Sequence, residues 1–322
     1  MIKYILKRLL WIIPVVVGVA ILIFTLMYFV PGDPASIILG NGATEKDLNL
    51  LREQLGLNQP YIVRLGSYLK DVFLRLDFGS SYITKTSITT EMIQRLPYTF
   101  TLAISCMLLS LIIGIPLGVN AAIHQNGWGD RICMFFALAG VSMPAFWLGL
   151  MLSILFALKL RWLPAYGVGG LQYFILPTIA NSFGTIAMLA RQTRSSMLEV
   201  IRSDYIVTAR AKGLSENHVI YRHALPNALI PIITVAGTTF GHSLGGTVII
   251  ENVFSIPGIG SYMVQAINSR DYPVVQGSVI LLAVSFSIVI LLVDLIYGFV
   301  DPRIKAQYEG TSRRKKKCIA KV

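Results

Sequence analysis

Long uncharged stretches alternate with charged ones along this 322-residue chain. Six stretches are long enough to cross about 30 Å of hydrocarbon, which takes about 20 helical residues. They are residues 9–30, 96–123, 132–158, 174–190, 224–250 and 272–300, the last interrupted by Asp294. Barrel strands would run about ten residues and alternate in polarity, which these do not. The pattern predicts an all-α integral membrane protein with six transmembrane helices. The first stretch follows Lys3, Lys7 and Arg8 and leads into Pro31-Gly32-Asp33-Pro34 without a small-x-small cleavage pattern, so it is read as a retained helix and not a signal peptide.

Two connections are long enough for structure of their own. In residues 31–95, Thr44 is placed to cap a short helix ending at Leu55-Gly56, and an amphipathic stretch follows over residues 61–76. This loop reads either as a cap on the membrane face or as a docking surface. In residues 191–223, Ser203 or Asp204 is placed to cap a helix through Lys212, Gly213 to end it, and Ser215 to start another running toward Leu225-Pro226. Residues 251–260 read as the end of span five, with a turn at Pro257-Gly258 and a re-entrant or outer helix over residues 259–269. Prolines 116, 144, 177, 226 and 231 interrupt or begin spans.

Composition narrows the class. With 54% apolar and 14% charged residues and a mean hydropathy of +0.66, the chain lacks the charge for a water-facing surface, which excludes disordered, collagenous and nucleic-acid-binding classes. The net charge of +12 is a record of topology. With the N-terminus inside, the inner segments carry 18 basic and 6 acidic residues and the outer ones 10 and 9, which satisfies the positive-inside rule with both termini cytoplasmic. The basic run Arg313 to Lys317 then suits anionic lipid head groups better than nucleic acid. Cys106, Cys133 and Cys318 have no metal or disulfide spacing and read as free thiols.

Candidate chemistry is sparse. No G-x-x-x-x-G-K-[ST] sequence is present, so no P-loop binds a nucleotide. Residues Gly241 to Gly245 match G-x-S-x-G, yet they lie inside a span and no histidine follows His242, so no hydrolase triad forms and no catalytic residue or cofactor is expected. Gly237, Gly241 and Gly245 recur every four residues, which suits close helix packing or the lining of a translocation path. His242 is the one intramembrane histidine, read as a hydrogen-bonded structural group or a transient contact along that path, and not as a metal site. Asp294 within the last span needs an Arg, a Ser or water near the inner face.

Gly213, nine residues, then His223-Ala224-Leu225-Pro226 resembles the cytoplasmic EAA loop of ABC importer permeases, with His223 in place of the usual Ile and Val207-Thr208-Ala209 in place of Glu-Ala-Ala. The run from Asp204 to Leu214 is similar to the peptide and nickel branch of that family. So are Pro31 to Pro34, Asp77-Phe78-Gly79, Glu251 to Gly260, Arg270 to Pro273 and Asp301-Pro302-Arg303. The resemblance spans nearly all of the chain to about residue 305, and the order of elements is like the first of the two permease subunits such systems use.

This resemblance implies an ABC importer type-1 transmembrane domain working with a second permease subunit as a heterodimer, two cytoplasmic ABC ATPases and an extracytoplasmic solute-binding protein. It places ATPase coupling at Asp204, Ala209, Arg210, Lys212, Gly213, Leu225 and Pro226, and an outer gate near Glu251, Pro257 and Gly258. The implied division is an N-terminal span with its outer loop (1–95), a transmembrane domain (96–301) with its coupling loop (191–223), and a basic tail (302–322). Nickel, a nickel chelate and di- or oligopeptides stay open as cargo. A stand-alone secondary transporter or channel is the alternative from another class, and paired intramembrane charges or inverted repeats that would mark it are not found.

Overall fold

The computed structural model describes residues 2–40 and 42–300, and these residues are almost entirely helical. The tail from residue 302, its basic run and the Asp301-Pro302-Arg303 motif lie outside the described residues. In chain order the helices are α1 (Ile2–Phe29), α2 (Pro34–Leu39), α3 (Glu45–Gln54), α4 (Tyr61–Leu74), α5 (Ile88–Ile123), α6 (Trp128–Ser142), α7 (Ala145–Leu152), α8 (Gln172–Ile201), α9 (Asp204–Ala211), α10 (Glu216–His218), α11 (Leu225–Val253), α12 (Ile259–Ser269) and α13 (Tyr272–Val300). Among them five helices are long and apolar enough to cross a membrane, six if α6 and the α7 segment form one broken span.

Three expected spans change shape. The third is not straight: α6 and the segment that α7 begins meet at 102°. Pro144 has no N–H to continue the ladder and biases Met143 to the extended backbone seen there, φ −83° and ψ 124°. The fourth does not stop at residue 190, because α8 runs on through the charged residues to Ile201 and carries Arg194 to Asp130 on α6. The coupling loop expected over residues 191–223 therefore narrows to the segment between Ile201 and Glu216. The fifth begins earlier than residue 224. A π-helical turn, Val219–Ala224, joins α10 to α11, and the Leu225 N–H reaches back to Ile220 O. The extra residue in that turn lets the helix continue past Pro226, while Asn227 Nδ2 donates to His223 O at 2.8 Å.

Packing rests on small residues. A Cβ on Gly118 would stand 2.5 Å from Ala190 O, and one on Gly114 3.0 Å from Leu189 Cβ, so α5 and α8 meet with almost no side chain between them. Gly140 brings α6 onto Ala187 of α8 in the same way. On the far side α11 meets α13 at Gly237 and Gly241, and α1 lies along α13, where Arg8 pairs with Asp294. That ion pair supplies the arginine expected for Asp294.

The outer connection folds as a cap. Thr44 Oγ1 accepts from Asp47 N and opens α3, whose end is marked by Gly56 at φ +65°, and the amphipathic stretch is α4. Asp33 accepts from Ala35 N at the start of α2 and from Arg52 Nε on α3 at 3.0 Å, which fastens the two helices together and raises the Arg52 guanidinium further above its ordinary value.

Gly118→Ala should lower the unfolding midpoint of the detergent-solubilised protein, by roughly 1–3 kcal/mol of stability, because the opposing atom is backbone and cannot swing away. Gly245→Ala, whose Cβ meets nothing within 4 Å, should leave the midpoint unchanged or raise it, and thermal denaturation of both variants checks the pair.

Candidate functional site

Three groups of expected functional residues fall along α11 and its flanks. Leu225 and Glu251 are 26 residues apart on that helix, roughly 39 Å at 1.5 Å per residue, so one rod joins the inner group to the outer one.

The inner group is α9 and its turn. Ile206 and Ala209, three apart, share the face of α9 that packs into a core made with Val119 and Ala122 of α5, Met197 of α8 and Val219, Ile220 and Ala224 of the π turn. This corrects the expectation for Ala209: its side chain is buried and meets the core, so it is an anchor and offers no surface. Tyr205 and Val207, on either side of Ile206, are exposed, as are Asp204 and, at the turn beyond the helix, Lys212, Gly213 and Leu214. Sequence reading missed Tyr205, Val207 and Leu214; for Val207 the available signal was that it falls out of phase with the Ile206–Ala209 spacing.

Ser203 holds the N-cap position with extended backbone but makes no side-chain capping bond. Arg210 is committed within the chain: Nε donates to Glu216 Oε1 at 2.7 Å and Nη2 to Oε2 at 3.2 Å, which raises the guanidinium above its ordinary value. This bidentate pair bridges α9 to α10 across the turn where Gly213 sits at φ +77°. Leu225 packs on the same core, and Pro226 is exposed beside it.

The middle group separates. Gly237 and Gly241 press on Val293 and Phe286 of α13, which takes them out of any open path, whereas Gly245 faces open space. His242 is exposed, its ring 6.2 Å from Phe286 in an edge-on contact.

The outer group is a tied corner. Glu251 is fully buried and accepts from Thr99 Oγ1 of α5 at 2.7 Å and from Ser261 N in the first turn of α12 at 2.9 Å, while Thr99 Oγ1 itself accepts from Ile259 N at 2.9 Å. The carboxylate thus occupies the positive end of α12. Gly258 and Gly260 make room for it: a Cβ on Gly258 would stand 2.4 Å from Glu251 Cδ. Pro257 lies in the tight return before α12, where Gly258 N donates to Ile256 O at 2.8 Å.

At the other end of α12 Asp271, also buried, accepts from Ser81 Oγ and from Tyr82 N, which draws the outer loop onto the start of α13. Tyr82 is buried enough that its phenol is pushed up to about 12. Between α1, the cap and α13 lies a cavity of about 730 Å³ lined in part by Tyr28, Arg52, Arg64, Tyr82 and Tyr272.

Comparison with known proteins follows this layout. Residues 114–306 match the family described as binding-protein-dependent transport system inner membrane component, and residues 1–103 match the N-terminal membrane component of the same transport systems. The dipeptide transport system permease protein DppB of Alkalihalophilus pseudofirmus is 44% identical over 333 residues, covering 95% of this chain and 100% of the relative. The glutathione transport system permease protein GsiC of Salmonella typhi is 41% identical over 305 residues, covering 95% and 99%. Among solved structures, an inward-facing MetNI methionine ABC transporter shares the fold, with a TM-score of 0.56 and 18% identity over 66% of this chain and 96% of that one.

Glu251→Ala should destabilise the fold by about 3 kcal/mol, since it strands a buried hydroxyl and a buried N–H. Gly258→Ala should also destabilise, by forcing the carboxylate aside. The double variant should cost less than the two singles added, because the clash and the carboxylate disappear together; a double-mutant cycle by thermal unfolding measures the difference.

Proposed function

Because the chain belongs to the family of binding-protein-dependent transport system inner membrane components, the permease subunits of ABC importers, we propose that it carries short peptides inward as one of two different permease subunits. Its partners in this reading are a second permease, two cytoplasmic ATPases and an extracytoplasmic binding protein. Both termini are cytoplasmic, as the charge distribution favours. Peptide is preferred to nickel: the relatives at 44% and 41% identity are named for dipeptide and glutathione transport. Among the described residues, no three His, Cys, Asp or Glu stand close enough to hold a metal ion on its way. A stand-alone transporter or channel has no support. The chain divides in this reading into residues 1–95, which give the first span and the outer cap, residues 96–301, which translocate, and the basic tail 302–322 at the lipid surface.

The observation that carries the mechanism is the mounting of α9. It presents the exposed Tyr205 and Val207, with Leu214 beyond the turn, to a partner, while Ile206 and Ala209 key it into the ends of α5, α8 and α11. An ATPase gripping α9 would therefore move all three spans together. The Arg210–Glu216 pair keeps α9 and α10 from folding about Gly213, so a push on the turn is passed to α11 and not absorbed. At the other end α11 carries Glu251, so a tilt of this rod displaces the α12 corner and the outer loop tied to it, which is where a binding protein would release its cargo. The permease itself has no catalytic role here, and ATP hydrolysis belongs to its partners.

Val207→Asp should abolish recovery of the ATPases with the permease pair in pull-downs, yet leave the permeases inserted and paired. Arg210→Ala should keep assembly but lower peptide-stimulated ATP hydrolysis several-fold. Complexes reconstituted in vesicles with the binding protein should accumulate di- and tripeptides only with ATP. Uptake by this chain alone without ATP, or uptake of nickel in place of peptide, would overturn the reading.

A further inference from the structure

An apolar groove of about 540 Å³ opens between α5, α6 and α8, on a face that takes no part in the coupling element or the outer corner. Its walls include Ile113 and Leu117 of α5, Ile132 and Phe136 of α6, and Ile179 and Ile186 of α8. From Leu109 to Asn120 it follows twelve residues of α5, roughly 16 Å from first to last. One leaflet of hydrocarbon is about 15 Å deep. The groove therefore runs from the interface to about the bilayer midplane and no farther. A helix of the same length and about 10 Å across takes up about 1,250 Å³, so a neighbouring span would rest on the groove where an extended hydrocarbon chain would enter it.

The mouth is chemically different from the walls. Asn120 and Gly129 mark it, next to the loop at residues 124–127, and α6 begins there with Trp128, which is 78% exposed. Arg131 lies over the Trp128 ring, 5.7 Å from its centroid, and is exposed. Arg191, one residue beyond the groove-lining Ala190, is exposed as well. The acid at this end, Asp130, is held by Arg194 through contacts of 2.5 and 2.7 Å and feels Arg131 only through space, and neither Arg131 nor Arg191 forms a salt bridge among the described residues. A dry slot one leaflet deep thus ends in an interfacial indole and two exposed guanidinium groups outside any salt bridge, the complement of an acyl chain joined to a phosphate.

We propose that this groove is a specific site for one anionic phospholipid of the inner leaflet, with one acyl chain between α5, α6 and α8 and the phosphate between Arg131 and Arg191. The leaflet assignment rests on the inner placement of residues 124–127 proposed above; the lipid readout below needs neither cargo nor ATP, so it stands or falls apart from the peptide reading.

The intact permease complex, purified in mild detergent and examined by native mass spectrometry, should retain phosphatidylglycerol and exchange it only slowly for phosphatidylcholine. Ile113→Trp fills the slot from its rim and should remove the bound lipid. Ile112→Trp, at the neighbouring position that is 68% exposed and outside the groove, should keep it. Arg131→Gln combined with Arg191→Gln should weaken phosphatidylglycerol about 30-fold, at about fivefold per charge, with little change for phosphatidylcholine. Equal retention of the two lipids by the unmodified complex, retention in Ile113→Trp, loss in Ile112→Trp, or a cross-link from the native Cys133 in the groove to the second permease would each overturn the proposal.

Discussion

A carboxylate enclosed by apolar helices has no water to satisfy it, and this chain meets that constraint at Glu251 by folding itself around the group. Thr99 comes from α5, the N–H of Ser261 from α12, and Gly258 and Gly260 at the start of α12 give the oxygen atoms space. None of these interactions is strong when set against the cost of removing a charge from water; together they offset part of it, and only in one geometry. The corner that results fixes where α12 starts, hence where α13 enters the membrane and where Asp271 can hold the outer loop. The same logic recurs at Asp130 with Arg194 and at Asp294 with Arg8, each pair tying two spans.

Between those polar ties the spans meet through glycine, alanine and serine. Hydrocarbon offers no hydrophobic gain for helix association in a membrane, so the attraction has to come from close backbone approach. Gly118 against Ala190 and Gly140 against Ala187 make α8 the helix that both α5 and α6 lean on, and Gly237 and Gly241 do the same for α11 against α13. Rods joined this closely move as units, which suits a protein that has to convert a push at one face into a displacement at the other.

Much of this was legible in the sequence. Apolar runs give the spans, Thr44 and Gly56 the ends of α3, and Gly213 the left-handed turn. The misses have physical causes. Hydropathy does not register a backbone break, so the bend at Met143-Pro144 lies within a run that reads as continuous. It also ends a span where charge begins, although Arg191, Gln192, Arg194, Met197, Leu198 and Glu199 are sound helix formers and α8 continues through them. The family resemblance assigns Ala209 to the coupling region but does not say which way its side chain turns, and here it is buried. The tied corner at Glu251 depends on Thr99, 152 residues away, and no local pattern announces such a partner.

The pairing of Arg8 with Asp294 joins the first span to the last. A chain that enters the membrane as it is synthesised must therefore hold its first helix, with an arginine near the interface, while nearly three hundred further residues are made. Asp294 meets this partner only when the final helix arrives. The contact between α1 and α13 therefore forms only once α13 has been made, and without α13 the face of α1 that packs on it stays open to lipid.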